Sequence, residues 1–215
     1  MFSFDKASLG HPGQAVFESL SLGIGAGEIV ALLGPSGAGK STLLEALRQQ
    51  QEHQVAWCPQ AGSLVPMLSV FHNIYMGALA RHSTLYNLRT LLLPSAAEKH
   101  AVGELAQALG LEDKLFTSVD RLSGGQAQRV ALGRALYTRR PVLLADEPVS
   151  SLDEHQGLVL LRQALGRHHT AVVALHDREL ALQCCDRIIG LGDGKILLDA
   201  PASTLSLGDL DTLYQ

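Results

Sequence analysis

Glu28-Ile-Val-Ala-Leu-Leu33-Gly34-Pro35-Ser36-Gly37-Ala38-Gly39-Lys40-Ser41-Thr42 decides the fold. Six residues of mostly apolar character form a run short enough for a buried strand, and a glycine-rich turn ends it. Ser41 to Gln50 then continues at helical spacing, with Leu43, Leu44 and Leu47 on one face. The turn fits G-x-x-x-x-G-K-[ST] in full and stands between a strand and a helix, where its mechanism requires it. Glycines let successive backbone N–H groups turn inward around phosphate oxygens, and the helix N-terminus adds partial positive charge. A nucleoside triphosphate is the expected ligand, with Lys40 reaching its β- and γ-phosphates and the Ser41 hydroxyl ligating Mg²⁺.

Working outward, Val142 to Ala145 and Thr170 to Leu175 read as two more buried strands, each ending at polar residues. Short apolar runs alternating with helical stretches predict an α/β fold with a mainly parallel sheet. Arg187 to Leu191 and Lys195 to Asp199 flank Gly192-Asp193-Gly194 and predict a hairpin. Between about residues 61 and 120 no strand pattern occurs, and Glu98 to Leu109 is helical in spacing. The expected organisation is one domain: a core of about 1–60 and 121–215, with a helical sub-domain inserted at about 61–120.

Composition bounds the function classes. With 215 residues, 47% hydrophobic and 18% charged, the chain is long enough to bury its own core and too apolar to stay disordered. The net charge of −4 argues against a general nucleic-acid coat. Cys58, Cys184 and Cys185 have no metal-ligand spacing and read as buried or half-buried thiols in a reducing compartment. Met1 to Asp5 shows no secretory pattern, and no apolar run is long enough to span a membrane. Val55 to Ala80 carries no Asp, Glu, Lys or Arg, yet Pro59, Gly62, Pro66 and Asn73 interrupt it.

Two further elements carry chemistry. Val142-Leu-Leu-Ala-Asp146-Glu147 delivers two carboxylates at a strand's C-terminal edge. One can join the Mg²⁺ shell while its neighbour polarises a water for in-line attack on the γ-phosphate. Leu122-Ser123-Gly124-Gly125-Gln126 opens a helical run, which makes a second phosphate cradle.

With these motifs in this order, the chain resembles the nucleotide-binding subunit of an ABC transporter over essentially its whole length. Gly34 to Thr42 resembles the Walker A loop, Gln60 the Q-loop glutamine and Leu122 to Gln126 the signature. Val142 to Glu147 looks like Walker B, Ser150-Ser151-Leu152-Asp153 the D-loop and His176 the switch histidine. The resemblance implies the P-loop ABC ATPase fold. It also implies a head-to-tail homodimer in which each ATP lies between one Walker A loop and the partner's signature. Mg²⁺ would be held by Ser41, Gln60 and Asp146, Glu147 would act as general base, and His176 would contact the γ-phosphate. Phosphate contacts would come from Gly34 to Thr42, with Gln60, Ser123, Gly124, Gly125, Gln126 and Asp153 completing the nucleotide site. His11 stands where relatives carry an aromatic that stacks on adenine; it reads equally as a plain loop residue.

The wording of several segments narrows the branch. Leu64-Val65-Pro66 to Val70-Phe-His-Asn73-Ile74, Leu85-Tyr-Asn-Leu to Pro94, and Asp209-Leu-Asp-Thr-Leu-Tyr214 look like the ATPase of phosphonate-type importers. Such subunits sit on the cytoplasmic face of the inner membrane and energise an integral permease fed by a periplasmic binding protein. The alternatives are an ATPase of an export or membrane-regulatory complex, or a soluble ABC ATPase acting on nucleic acid or ribosomes. No nucleic-acid partner is expected from the charge. Met67, Leu68, Phe71 and Tyr75 then have two readings, packing within the helical sub-domain or docking of the permease. One departure stands out: only twenty positions separate Lys40 from Gln60, so a reduced antiparallel sub-sheet and a less covered Trp57 are expected.

Overall fold

The computed structural model describes residues 1–11, 14–60 and 63–214, without the side chains of His11 and Gln14. A six-stranded sheet organises the chain. Its order is β4 (Val55–Cys58), β5 (Val142–Asp146), β6 (Thr170–Ala174), β3 (Ile29–Leu33), β7 (Arg187–Gly192) and β8 (Lys195–Pro201). All neighbours run parallel except β7 and β8, the hairpin expected around Gly192-Asp193-Gly194.

The central strands are buried on both faces, which is why they read as continuous apolar runs rather than as alternating ones. Their side chains still alternate by period two. Ala31, Leu33, Leu143 and Val173 point into one core, which α5 (Gly124–Tyr137), α6 (Glu154–Leu165) and α7 (Arg178–Cys184) cover. Val30, Leu32, Leu144 and Val172 point into the other, against Leu43, Leu44 and Leu47 of α1 (Lys40–Gln50).

Over that second core lies a separate two-stranded antiparallel sheet, β1 (Phe2–His11) with β2 (Gln14–Ile24). This is the reduced sub-sheet that the short Lys40–Gln60 segment predicted. The chain passes from α1 through one 3₁₀ turn at Glu52–Gln54 straight into β4. The Gln50 side chain stands beside β1 and meets Ser3 as a peptide would, accepting from its N–H at 3.2 Å and donating to its carbonyl at 3.0 Å. Trp57 is half-buried, and the Arg48 guanidinium lies over its ring at 5.9 Å.

Between β4 and β5 the main elements among the described residues are helices: α2 (Val70–Tyr75), α3 (Thr84–Leu92), α4 (Ala96–Ala108) and α5. Asn73, fully buried, organises the loop before α2, donating to the carbonyls of Val65, Leu68 and Ser69 at 3.0–3.1 Å. That satisfies a polar side chain in an otherwise apolar environment. Cys58 and Cys185 are buried and Cys184 half-buried; burial pushes the Cys58 thiol up to about 12, so it is held as an inert thiol. Among the described residues, no helix is long and apolar enough to cross a membrane.

Candidate functional site

The glycine loop leaves the C-terminal edge of β3. Gly34 has φ +142°, and a Cβ on it would stand 2.1 Å from the Leu191 carbonyl oxygen. Gly39 has φ +98°, and a Cβ there would strike the Phe17 ring at 2.6 Å. Glycine is therefore required at both ends of the turn, by conformation and by space. Lys40 opens α1 and is only 6% exposed; its Nζ donates to the carbonyls of Gly34 at 2.6 Å and Pro35 at 3.1 Å. Burial lowers the Lys40 pKa, against the pull of Glu147 and Asp146. The N-terminus of α1 has no side-chain cap, so its first amides are left to a ligand.

Asp146 ends β5 and is 4% exposed. Burial raises its pKa, while the Ser41 hydroxyl works in the opposite direction. Glu147 follows with φ +51°, a conformation uncommon for a side-chain-bearing residue, and its N–H donates to the Ala174 carbonyl at 3.0 Å. This turn brings the Glu147 carboxylate to His176 just beyond β6, with Oε1 2.5 Å from Nε2.

A cavity of about 250 Å³ results. Ser36, Gly37, Gly39, Lys40, Ser41, Thr42, Gln60, Glu147 and His176 line it, together with Val16 from β2. Gly34, Pro35 and Ala38 shape the loop from behind; Ala38 is buried and donates its N–H to the Pro35 carbonyl at 3.2 Å. A larger groove of about 730 Å³ between β2 and the Asp193–Ile196 turn shares only Val16 with this cavity. It contains none of the candidate site residues of the sequence.

The remaining predicted residues stand apart from that cavity. Ser123 caps α5: its hydroxyl accepts the Gln126 N–H at 3.3 Å, and Gln126 Oε1 accepts the Ser123 N–H at 3.0 Å. Ser123 and Gly124 are exposed and Gly125 half-buried. Asp153 caps α6, accepting from the Gln156 N–H at 2.9 Å, and lines a neighbouring cavity of about 230 Å³ that also touches Glu147 and His176. The His11 side chain lies outside the described residues.

Three residues join the site without a sequence signal. Val16 packs on Gly39 from a strand remote in sequence. Gln128 donates from Nε2 to the Glu147 carbonyl and, at 3.0 Å, to Ser150 Oγ, while its Oε1 accepts the Ser151 N–H at 3.1 Å. It thus ties the helix that Ser123 opens to the turn that carries Glu147. Tyr214, at the far end of the chain, accepts the Gly34 N–H at 3.3 Å. Only a pattern linking residues far apart in sequence would have revealed any of them.

The charge-free stretch divides between buried and exposed side chains. Phe71 is fully buried and Met67 is 86% exposed. Leu68 and Tyr75 line an apolar groove of about 320 Å³ with His72, Leu79, Leu88 and Leu91.

Comparison with known proteins agrees with this geometry. The sequence profile described as ABC transporter matches residues 17–150. The phosphonates import ATP-binding protein PhnC of Pseudomonas putida is 38% identical, with 97% of this chain and 87% of that protein covered. The phosphite import ATP-binding protein PxtA of Stutzerimonas stutzeri is 37% identical over 98% and 86%. Among solved structures, a dimeric bacterial ABC transporter cassette superposes with a TM-score of 0.77 at 25% identity, covering 94% of this chain and 99% of that one.

Proposed function

We propose, for a chain that belongs to the ABC transporter family, that it is the ATP-hydrolysing subunit of an importer for phosphonate-like anions. As a member of that family it binds ATP and is an ATPase. The observation that carries the reading is the single cavity into which Lys40, Ser41, Glu147 and His176 all face.

The chemistry follows from this chain's own groups. Amides of the Ser36–Ser41 turn receive the phosphates, and Lys40 exchanges the carbonyls of Gly34 and Pro35 for phosphate oxygens. Glu147 accepts the proton of the water that attacks the γ-phosphate, while His176, bonded to it, orients the carboxylate and contacts that phosphate. Ser41, Asp146 and Gln60 would hold Mg²⁺. Their all-oxygen donor set suits a hard cation, and the buried Asp146 carboxylate, held towards protonation, gains from a positive partner. The metal supplies neutralisation of phosphate charge.

The Ser123–Gln126 turn, exposed at Ser123 and Gly124, does not line the cavity that Lys40 and Glu147 share. We take it to complete the site of a second copy, so that ATP joins two subunits head to tail, with Asp153 at the joint. The helical segment 61–120, inserted into a core of 1–60 and 121–215, would present its apolar groove to an integral permease. A periplasmic binding protein would feed that permease, and this subunit would then sit on the cytoplasmic face of the inner membrane.

Glu147→Gln tests the mechanism. Turnover should fall at least about 100-fold, with ATP binding retained and an ATP-stabilised dimer on a sizing column. Normal turnover would remove Glu147 as the base. For the transport reading, a pull-down from detergent-solubilised native membranes should recover a polytopic permease. Recovery with ribosomes or nucleic acid alone would overturn it.

A further inference from the structure

After β8 the chain returns along the sheet towards the glycine loop. A 3₁₀ turn at Ala202–Thr204 leads into α8 (Leu207–Asp211), and a second one follows at Thr212–Tyr214. Leu210 and Leu213 are buried and anchor this segment on the core. Gly190 of β7 makes the room: a Cβ there would lie 2.5 Å from Leu213 Cδ2.

With its neighbours anchored, Tyr214 is set at the base of the glycine loop, and its hydroxyl accepts the Gly34 N–H at 3.3 Å. The Arg178 guanidinium lies over the ring, 5.4 Å from its centroid, and Arg178 also pairs with Asp211 of α8. Arg178 opens α7 two positions after His176. One aromatic ring therefore touches the start of the phosphate loop on one side and the His176 segment on the other.

Gly34 is the residue at which this contact matters. It stands at φ +142°, wedged against the Leu191 carbonyl, and its own carbonyl holds the Lys40 ammonium at 2.6 Å. The N–H that Tyr214 fixes and the carbonyl that holds Lys40 belong to one residue, linked by its φ and ψ alone. Turning the first changes the direction of the second.

We propose that Tyr214 is a positioning residue for ATP binding. Its hydroxyl fixes the first peptide of the phosphate loop and so sets the resting place of Lys40, and Arg178 joins the same ring to the segment carrying His176. The inference rests on the reading of this loop as the ATP cradle.

The test compares Tyr214→Phe, which keeps the ring and drops the hydroxyl, with Tyr214→Leu, which drops both. The measurements are Kd for a fluorescent ATP analogue, KM and kcat for ATP, and Tm. Tyr214→Phe should raise Kd and KM about threefold, the scale of one partly buried neutral hydrogen bond, with kcat within about twofold and Tm within about 1 °C. Tyr214→Leu should raise both constants about tenfold. A Tyr214→Phe protein with wild-type Kd and KM overturns the inference, whatever Tyr214→Leu does to Tm, because packing alone then explains the ring. A fall in kcat with unchanged Kd overturns it as well. Wild-type protein that fails to bind the analogue overturns this inference together with the ATP-cradle reading, whereas wild-type binding with unaltered Tyr214→Phe overturns this inference alone.

Discussion

Two glycine-rich turns open two helices in this chain, and they are built on opposite plans. The Gly34–Ser41 turn places Gly34, Gly37 and Gly39 at positive φ, has no side-chain cap and lies against the core through Phe17 and Leu191. Its helix N-terminus has no side-chain cap, and three glycines take up the positive φ that a residue with a Cβ would resist. The Ser123–Gln126 turn has no glycine at positive φ and closes on itself through a reciprocal capping box. The first turn leaves its helix start open to a ligand; the second is closed by its own side chains. One is therefore suited to binding a nucleotide alone, and the other to adding to a nucleotide already held elsewhere.

The sharpest way to break that contrast is Lys40→Ala. Removing the one ammonium in the first turn should weaken ATP binding by about 100-fold or more, the scale of charge-assisted bonds to phosphate, as isothermal titration would report. Ser123→Arg is the matching change in the second turn. It should leave ATP affinity of the single chain within about twofold while abolishing ATP-driven dimerisation on a sizing column. Equal losses of single-chain affinity in both variants would mean that the two turns do the same work.

Gln128→Ala tests the tie between the turns. It removes the bonds to the Glu147 carbonyl and to Ser150 and Ser151, so kcat should fall about tenfold with Kd for ATP unchanged. A shift in Kd instead would assign Gln128 to binding. The smallest effect belongs to Ser123→Ala, which opens the capping box and should cost about 1 kcal/mol in denaturant unfolding, with wild-type ATP affinity. No loss of stability would show that the turn is not held by its cap.

Much of the α/β core was legible because its signals are local. An apolar run, a glycine turn and a helical stripe lie consecutively between Glu28 and Gln50, and the structure gives β3, the turn and α1 in those places. Val142–Asp146 and Thr170–Ala174 likewise appear as strands. The β1–β2 pair escaped direct reading from its residues, although a reduced sub-sheet was expected from the resemblance. Its register shifts three times between Phe4 and Gly10, and Lys6 stands at φ +46°, so no clean alternation survives in the sequence. In the charge-free stretch, composition gave no sign that Phe71 would be buried while Met67 remained 86% exposed. Met67 stands in the turn before α2, whereas Phe71 lies on α2, which packs on α4 and α5.

Sequence alone pointed to the groups suited to phosphate chemistry: Lys40 and Ser41 at a helix start, and Asp146, Glu147 and His176 at strand ends, each placed there by its own neighbours. Such placement is a local matter of periodicity and backbone freedom. Only the tertiary structure decided which of them meet. Parallel order β5-β6-β3 sets the ends of three strands side by side, so Glu147 reaches His176 at 2.5 Å and both face the Lys40 turn. The same packing recruited Val16, Gln128 and Tyr214, whose contacts cross 19 to 180 residues of chain. Contacts over such separations arise from the closing of a core, and no short window of sequence contains both partners.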